Sequence, residues 1–139
     1  MSARTKARKR AIDAVYAADL RKVSPLDLLA VTEELASDRQ NQEPQFAYAR
    51  MIVEGVVAKH DEIDELLETY SQGWALERMP NVDRAILRVG CWEILFSEEI
   101  PDAVAIAEAV SVAKELSTEE SGSFINGLLG RISATKSVK

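Results

Sequence analysis

Three observations predict an all-α fold. Apolar residues recur at three- and four-residue steps through most of the 139 residues. No segment alternates with a period of two or carries the β-branched enrichment of a strand. Helix-start signatures precede the apolar-periodic runs: Ser24-Pro25 sets a capping serine before a proline at the first helical position, and Ser117 with Glu120 has the spacing of a capping box.

The first helix runs from the basic N-terminus into Ala11, Ile12, Asp13, Ala14, Val15, Tyr16, Ala17 and Ala18 without Pro or Gly, with Ile12, Val15 and Tyr16 as its apolar stripe. A short helix follows Ser24-Pro25 through Leu28, Leu29, Val31, Thr32 and Leu35, with Asp27 near its positive end. Ser37 to Pro44 is polar (Asp38, Arg39, Gln40, Asn41, Gln42, Glu43) and reads as a loop. One long helix is expected from about Gln45, with Ala49, Ile52, Val53, Val56, His60, Ile63, Leu67 and Tyr70 on one face and an acidic opposite face. Gly73 ends it, and Trp74 and Leu76 pack the connection to Pro80.

Val82 to Phe96 is apolar on nearly every side, the mark of a central, buried helix. After Pro101, Val104, Ile106, Val110, Val112 and Leu116 carry another helix. The last one buries Phe124, Ile125, Leu128, Leu129 and Ile132, with Gly127 and Gly130 suggesting close approach of a neighbouring backbone. No repeat or hinge linker interrupts this pattern, so residues 1–139 are expected to form a single domain.

Hydrophobic residues make up 47% and charged residues 29% of the chain, a globular composition. No apolar run approaches the ~18 residues of a membrane span, and no signal-peptide pattern follows the N-terminal charges. A soluble, cytoplasmic protein is expected. One Cys and one His cannot assemble a zinc site within the chain, so no metal is expected. Cys91 reads as a small buried hydrophobe and His60 as a core histidine. Phosphate-binding loops, dinucleotide-binding glycines and nucleophile elbows are missing, which argues against an enzyme and leaves no cofactor to expect.

The charge pattern is the functional signal. Arg4, Lys6, Arg8, Lys9 and Arg10 put five bases and no acid in the first ten residues, whereas the other 129 residues carry 12 bases against 23 acids and the whole chain is −6. Such segregation attracts polyanions to one end only. By charge and spacing alone, RNA binding stands beside a solvated terminus, and beside a protein-interaction or homodimer surface in which Arg4 and Arg8 meet a second copy's acids. RNA requires the cluster to be exposed; a homodimer would bury it.

Val82-Asp83-Arg84-Ala85-Ile86-Leu87-Arg88-Val89, Ile100-Pro101, Val104-Ala105-Ile106, Glu108-Ala109-Val110, Ala113-Lys114 and Phe124-Ile125-Asn126-Gly127-Leu128-Leu129 together resemble the NusB family of transcription antitermination factors. The run from Arg8 to Tyr16 fits the same pattern. The resemblance implies one bundle of about seven helices. It also implies an RNA-binding adaptor that pairs with the ribosomal protein NusE on boxA single-stranded RNA of ribosomal RNA leaders and helps RNA polymerase read through terminators. The alternative it carries is an accessory or interaction domain in ribosomal RNA modification, since the fold also occurs attached to methyltransferases.

Position by position, the resemblance places Arg4, Lys6, Arg8, Lys9 and Arg10 at the RNA-contacting start. It places Glu120, Ser121 and Phe124 at a second RNA-proximal segment, and Tyr16 and Asp83 near the NusE contact. Phe124 is open between base stacking and the core, and Asp83 between partner contact and charge-stabilising its own helix. Ala107 departs from the family's usual capping Asn or Asp, which puts the start of that helix in question. Gly122-Ser123 replaces longer polar or basic residues and predicts fewer RNA contacts from that loop.

Overall fold

The computed structural model describes residues 2–36 and 42–136. Among them are seven α-helices: α1 (Ala3–Arg21), α2 (Pro25–Leu35), α3 (Glu43–Ala58), α4 (His60–Tyr70), α5 (Asn81–Phe96), α6 (Asp102–Leu116) and α7 (Glu119–Lys136), with a 3-10 turn at Leu76–Arg78 between α4 and α5. The loop expected over 37–44 falls largely outside the described residues. Its end is helical, because Glu43 and Pro44 form the first turn of α3, where a proline lacks no needed N–H.

α5 is the hub, touching α1, α3, α4, α6 and α7. Its sequence explains this, because Ile86, Leu87, Val89, Cys91 and Ile94 point in different directions around the helix and are all buried. Full burial of each aliphatic side chain stabilises by roughly 1.5–3 kcal/mol. α1 lies antiparallel to α5, shown by pairings of Arg8 with Glu93 and of Asp19 with Arg84. α6 and α7 form an antiparallel pair closed by Asp102, which accepts from Ser133 at 2.5 Å and from Lys136 at 2.8 Å.

Several local expectations are corrected. The long helix breaks at Lys59, whose φ of −110° and ψ of 19° separate α3 from α4. The break turns His60 out of the apolar face, so it is exposed and lies beside Asp61 and Asp64 instead of in the core. α6 starts at Asp102 behind Pro101, and Ala107 sits inside the helix, where no cap is needed. α7 is capped by Thr118, whose hydroxyl accepts the Ser121 backbone N–H at 3.0 Å, one residue beyond the expected Ser117.

Gly127 and Gly130 face no backbone; a Cβ there would meet only the Arg131 side chain, or nothing within 4 Å. The glycines that close contacts demand are Gly90, against Leu129, and Gly55, against Trp92. Of the expected apolar residues of α2, only Leu29 is buried, while Val31 and Leu35 are exposed. The left-handed pair Gln72 and Gly73 (φ 58° and 91°) makes the turn after α4; Ser24 stands at the N-cap position before Pro25 as expected, but its side chain makes no capping hydrogen bond.

The tightest of these contacts yields a prediction. A Cβ on Gly55 would lie 1.9 Å from the Trp92 indole Nε1, inside any allowed approach, and the ring is held in the core between α3 and α5. Gly55→Ala is expected to destabilise the protein by about 1–3 kcal/mol through overpacking, in spite of its better helix propensity. Thermal or urea unfolding measures it. A neutral or stabilising result would show that the indole swings aside freely.

Candidate nucleic-acid interface

The basic residues of α1 divide between two faces. At about 100° of rotation per residue, Arg4 and Arg8 align with Ile12, while Lys6 and Arg10 lie together on a different side. The Ile12 side is the packed one, so Arg8 continues the apolar stripe into the core.

Arg8 is only 4% exposed. Its Nε donates to both oxygens of Glu93, at 2.8 and 2.9 Å, and its Nη1 donates to Glu108 at 3.1 Å. The Tyr48 hydroxyl completes the cluster by donating to Glu93 at 2.6 Å, and the Thr5 hydroxyl donates to Glu108 at 2.7 Å. Burial alone would lower the Arg8 pKa, but the hydrogen bond and charge of Glu93 and the charge of Glu108 outweigh it and hold the pKa above its ordinary value. Burial, then the Glu93 hydrogen bond and charge, push the Tyr48 hydroxyl up to about 12. The assignment of Arg8 to RNA contact is therefore corrected: its guanidinium joins α1 to α5 and α6. The acids that hold it belong to the same chain.

Arg4 and Lys9 are held more loosely on the same flank. Arg4 pairs with Glu99 at 2.8 Å and lies 5.0 Å from the centre of the Tyr48 ring; Lys9 pairs with Glu115 at 2.7 Å. The pairs ascend together along both segments, so α1 runs parallel to α6.

The other face opens between α1 and α3. Lys6, Lys9, Arg10, Asp13, Gln42 and Gln45 line a hollow of about 320 Å³. Lys6 is exposed and, among the described residues, Lys6 and Arg10 form no ion pair. Arg10 is oriented by its Nε bond to Gln45 Oε1 at 3.2 Å and by lying 5.1 Å from the centre of the Phe46 ring. A guanidinium fixed in this way keeps further N–H groups for an anion. Gln45 is buried and was missed in the sequence, having no charge or motif to mark it.

A second group lies where α7 starts beside α5. The Ser121 hydroxyl donates to Asp83 Oδ2 at 2.7 Å and contacts the hydroxyls of Ser117 and Thr118. Asp83 is 1% exposed, so its assignment to a partner surface is corrected: it faces inward and joins α5 to α7, and its other oxygen, Oδ1, has no hydrogen-bond partner among the described residues. Phe124 is half-buried, its ring edge-on to Trp74 with centroids 4.8 Å apart. One side packs on the core, as one of the two expectations had it, and the other on the partly exposed Trp74. Glu120 is exposed in the first turn of α7, and Tyr16 is 36% exposed on α1.

The family model described as the NusB family matches residues 5–134. The chain belongs to the NusB family. It is 57% identical over 136 residues to the transcription antitermination protein NusB of Clavibacter sepedonicus, covering 98% of this chain and 99% of that protein. Its fold is similar to NusB in a crystal structure of the antitermination factors NusB and NusE in complex with dsRNA, with a TM-score of 0.85, 27% identity and coverage of 97% and 98% of the two chains. T. maritima NusB is similar too, with a TM-score of 0.82, 34% identity and coverage of 94% and 90%. Among the described residues no helix is long and apolar enough to cross a membrane.

The buried cluster gives three predictions. Arg8→Ala leaves Glu93 enclosed without its cation and is expected to cost about 3–5 kcal/mol in chemical unfolding. Tyr48→Phe loses one hydrogen bond to a charged group, about 1.5–3 kcal/mol at neutral pH. The tyrosine also sets an alkaline limit: its folded pKa is raised, so the unfolded state releases this proton first and stability falls as pH rises from about 10 towards 12. In a Cys91→Ala background, which removes the other group pushed up to about 12, Tyr48→Phe should abolish that fall. An unchanged alkaline slope would mean that Tyr48 does not control it.

Proposed function

We propose that this NusB-family chain is a non-catalytic transcription antitermination adaptor that binds boxA-type single-stranded RNA of ribosomal RNA leaders. It does so together with NusE, for the benefit of RNA polymerase read-through, and residues 1–139 act as one RNA-binding domain in the cytoplasm. The observation that carries the reading is the hollow between α1 and α3. In a chain of net charge −6, three cations, Lys6, Lys9 and Arg10, line it against one carboxylate, Asp13, and Lys6 and Arg10 make no ion pair within 4 Å among the described residues. The family's transcription role and a structural neighbour solved as NusB and NusE in complex with dsRNA support RNA as the class of ligand and NusE as the partner.

The surface divides the work. Lys6 and Arg10, with Lys9 between the two faces, neutralise phosphates, and Arg10 can also stack on or hydrogen-bond an unpaired base. Trp74 and Phe124 offer aromatic surface for a base, beside the helix start where Glu120 and Ser121 lie. Arg4 adds charge at the edge, and Tyr16 supplies exposed aromatic surface for NusE. Arg8 and Asp83 act from inside, by fixing the helices that carry these groups.

Titration of labelled boxA RNA at several salt concentrations, with and without NusE, tests this. Neutralisation of ~3 phosphates gives a log K against log salt slope of about −2, and Lys6→Ala with Arg10→Ala should flatten it by roughly 1.4. That double variant should lose on the order of tenfold or more in affinity, and Lys6→Ala alone, which breaks no side-chain hydrogen bond among the described residues, should lose affinity while keeping its unfolding midpoint. NusE should tighten RNA binding, and RNA should tighten NusE binding by the same factor. A double variant that binds RNA as the parent does would remove the hollow from the site.

A further inference from the structure

Two exposed carboxylates occupy cations that the RNA reading would otherwise count as free. Glu99, just before α6, accepts from Arg4 at 2.8 Å, and Glu115, near the end of α6, accepts from Lys9 at 2.7 Å. Neither pair is sealed: side-chain exposures are 46% and 75% for the first and 24% and 53% for the second, against 5% and 1% for Arg8 and Glu93. Exposed pairs of this kind are weak and exchange readily, whereas the enclosed one cannot open without disturbing the core.

We propose that Glu99 and Glu115 are internal competitors of RNA: in the free protein they hold Arg4 and Lys9, and bound RNA must displace both carboxylates to use those cations. This rests on the RNA-binding reading above and adds a control to the same surface. The geometry suits exchange. Arg4 is supported from behind by the Tyr48 ring, so a phosphate can take the place of Glu99 while the guanidinium stays on the ring. Lys9 lines the α1–α3 hollow and also reaches Glu115, so a phosphate in the hollow and the carboxylate on α6 draw one ammonium in opposite directions. An isolated phosphate displaces either carboxylate poorly. A strand already anchored at Lys6 and Arg10 presents its next phosphates at high effective concentration. The competitors thereby penalise short or casual polyanions and leave a correctly seated strand able to recruit the extra cations.

The test compares Glu99→Gln/Glu115→Gln with Glu65→Gln/Glu68→Gln, which removes the same charge from exposed positions on α4 that make no ion pair among the described residues. Labelled boxA RNA should bind the first variant on the order of 3- to 10-fold tighter than the parent and the second less than about 2-fold tighter. A cycle adds a second readout: Arg4→Ala should cost more affinity in the Glu99→Gln background than in the parent. Arg8, Glu93 and Glu108 are untouched, so unfolding midpoints should hold. Equal tightening in both double variants would reduce the effect to net charge and overturn the proposal, as would no tightening in either. A parent protein that binds no RNA, with or without NusE, would instead overturn the RNA reading and the proposal with it.

Discussion

The enclosed guanidinium of Arg8 is the constraint on which the rest of the molecule depends. A buried cation must be matched in charge and in hydrogen bonds, and Glu93 from α5, Glu108 from α6 and the Tyr48 hydroxyl from α3, bonded to Glu93, supply that match at one point. Hydrophobic residues in place of the whole cluster could fill the space with comparable stability. The charged cluster adds directional hydrogen bonds to the packing of Ala7, Ala11 and Ile12, and both oppose a slip of α1. With Arg8 locked inward, helical geometry sends Lys6 and Arg10 to the α3 side. The placement of the proposed polyanion surface follows from a buried ion pair.

The other end of the site obeys the same logic with a different chemistry. Asp83 lies in the first turn of α5 and is inaccessible, yet its bond to Ser121 ties the start of α7 to the hub helix. The start of α7 in turn sets Phe124 against Trp74. Both ends therefore combine an inward polar anchor with an outward group of the proposed RNA surface. The two residues whose predicted roles changed, Arg8 and Asp83, are the two anchors.

The fold was largely readable because its signals are local. The apolar periodicity of α5 and α7, the Ser24-Pro25 start and the Gly73 turn all stand in the structure. What periodicity could not supply was the break at Lys59: the apolar positions continue almost in phase across it, and nothing in the residues marks the change of direction that exposes His60. For the proposed site, charge pointed to α1 but could not divide its basic residues between an inward and an outward face. Arg8 stands one turn before Ile12, with Ala7 and Ala11 beside it, and that alignment with the apolar stripe was the available sign of its burial. The acids that claim Arg4 and Lys9 are about a hundred residues away in sequence, so no local reading could pair them.

The division of α1 into an inward anchor and an outward binding face is open to direct observation in the Arg Nε–Hε resonances during titration with boxA RNA. Arg10, whose guanidinium borders the α1–α3 hollow, should shift with saturation. Arg8 should remain unperturbed and slow to exchange with solvent, because its Nε–H is committed to Glu93. A shift of Arg8 that saturates with RNA while Arg10 stays fixed would contradict the assignment of the two faces.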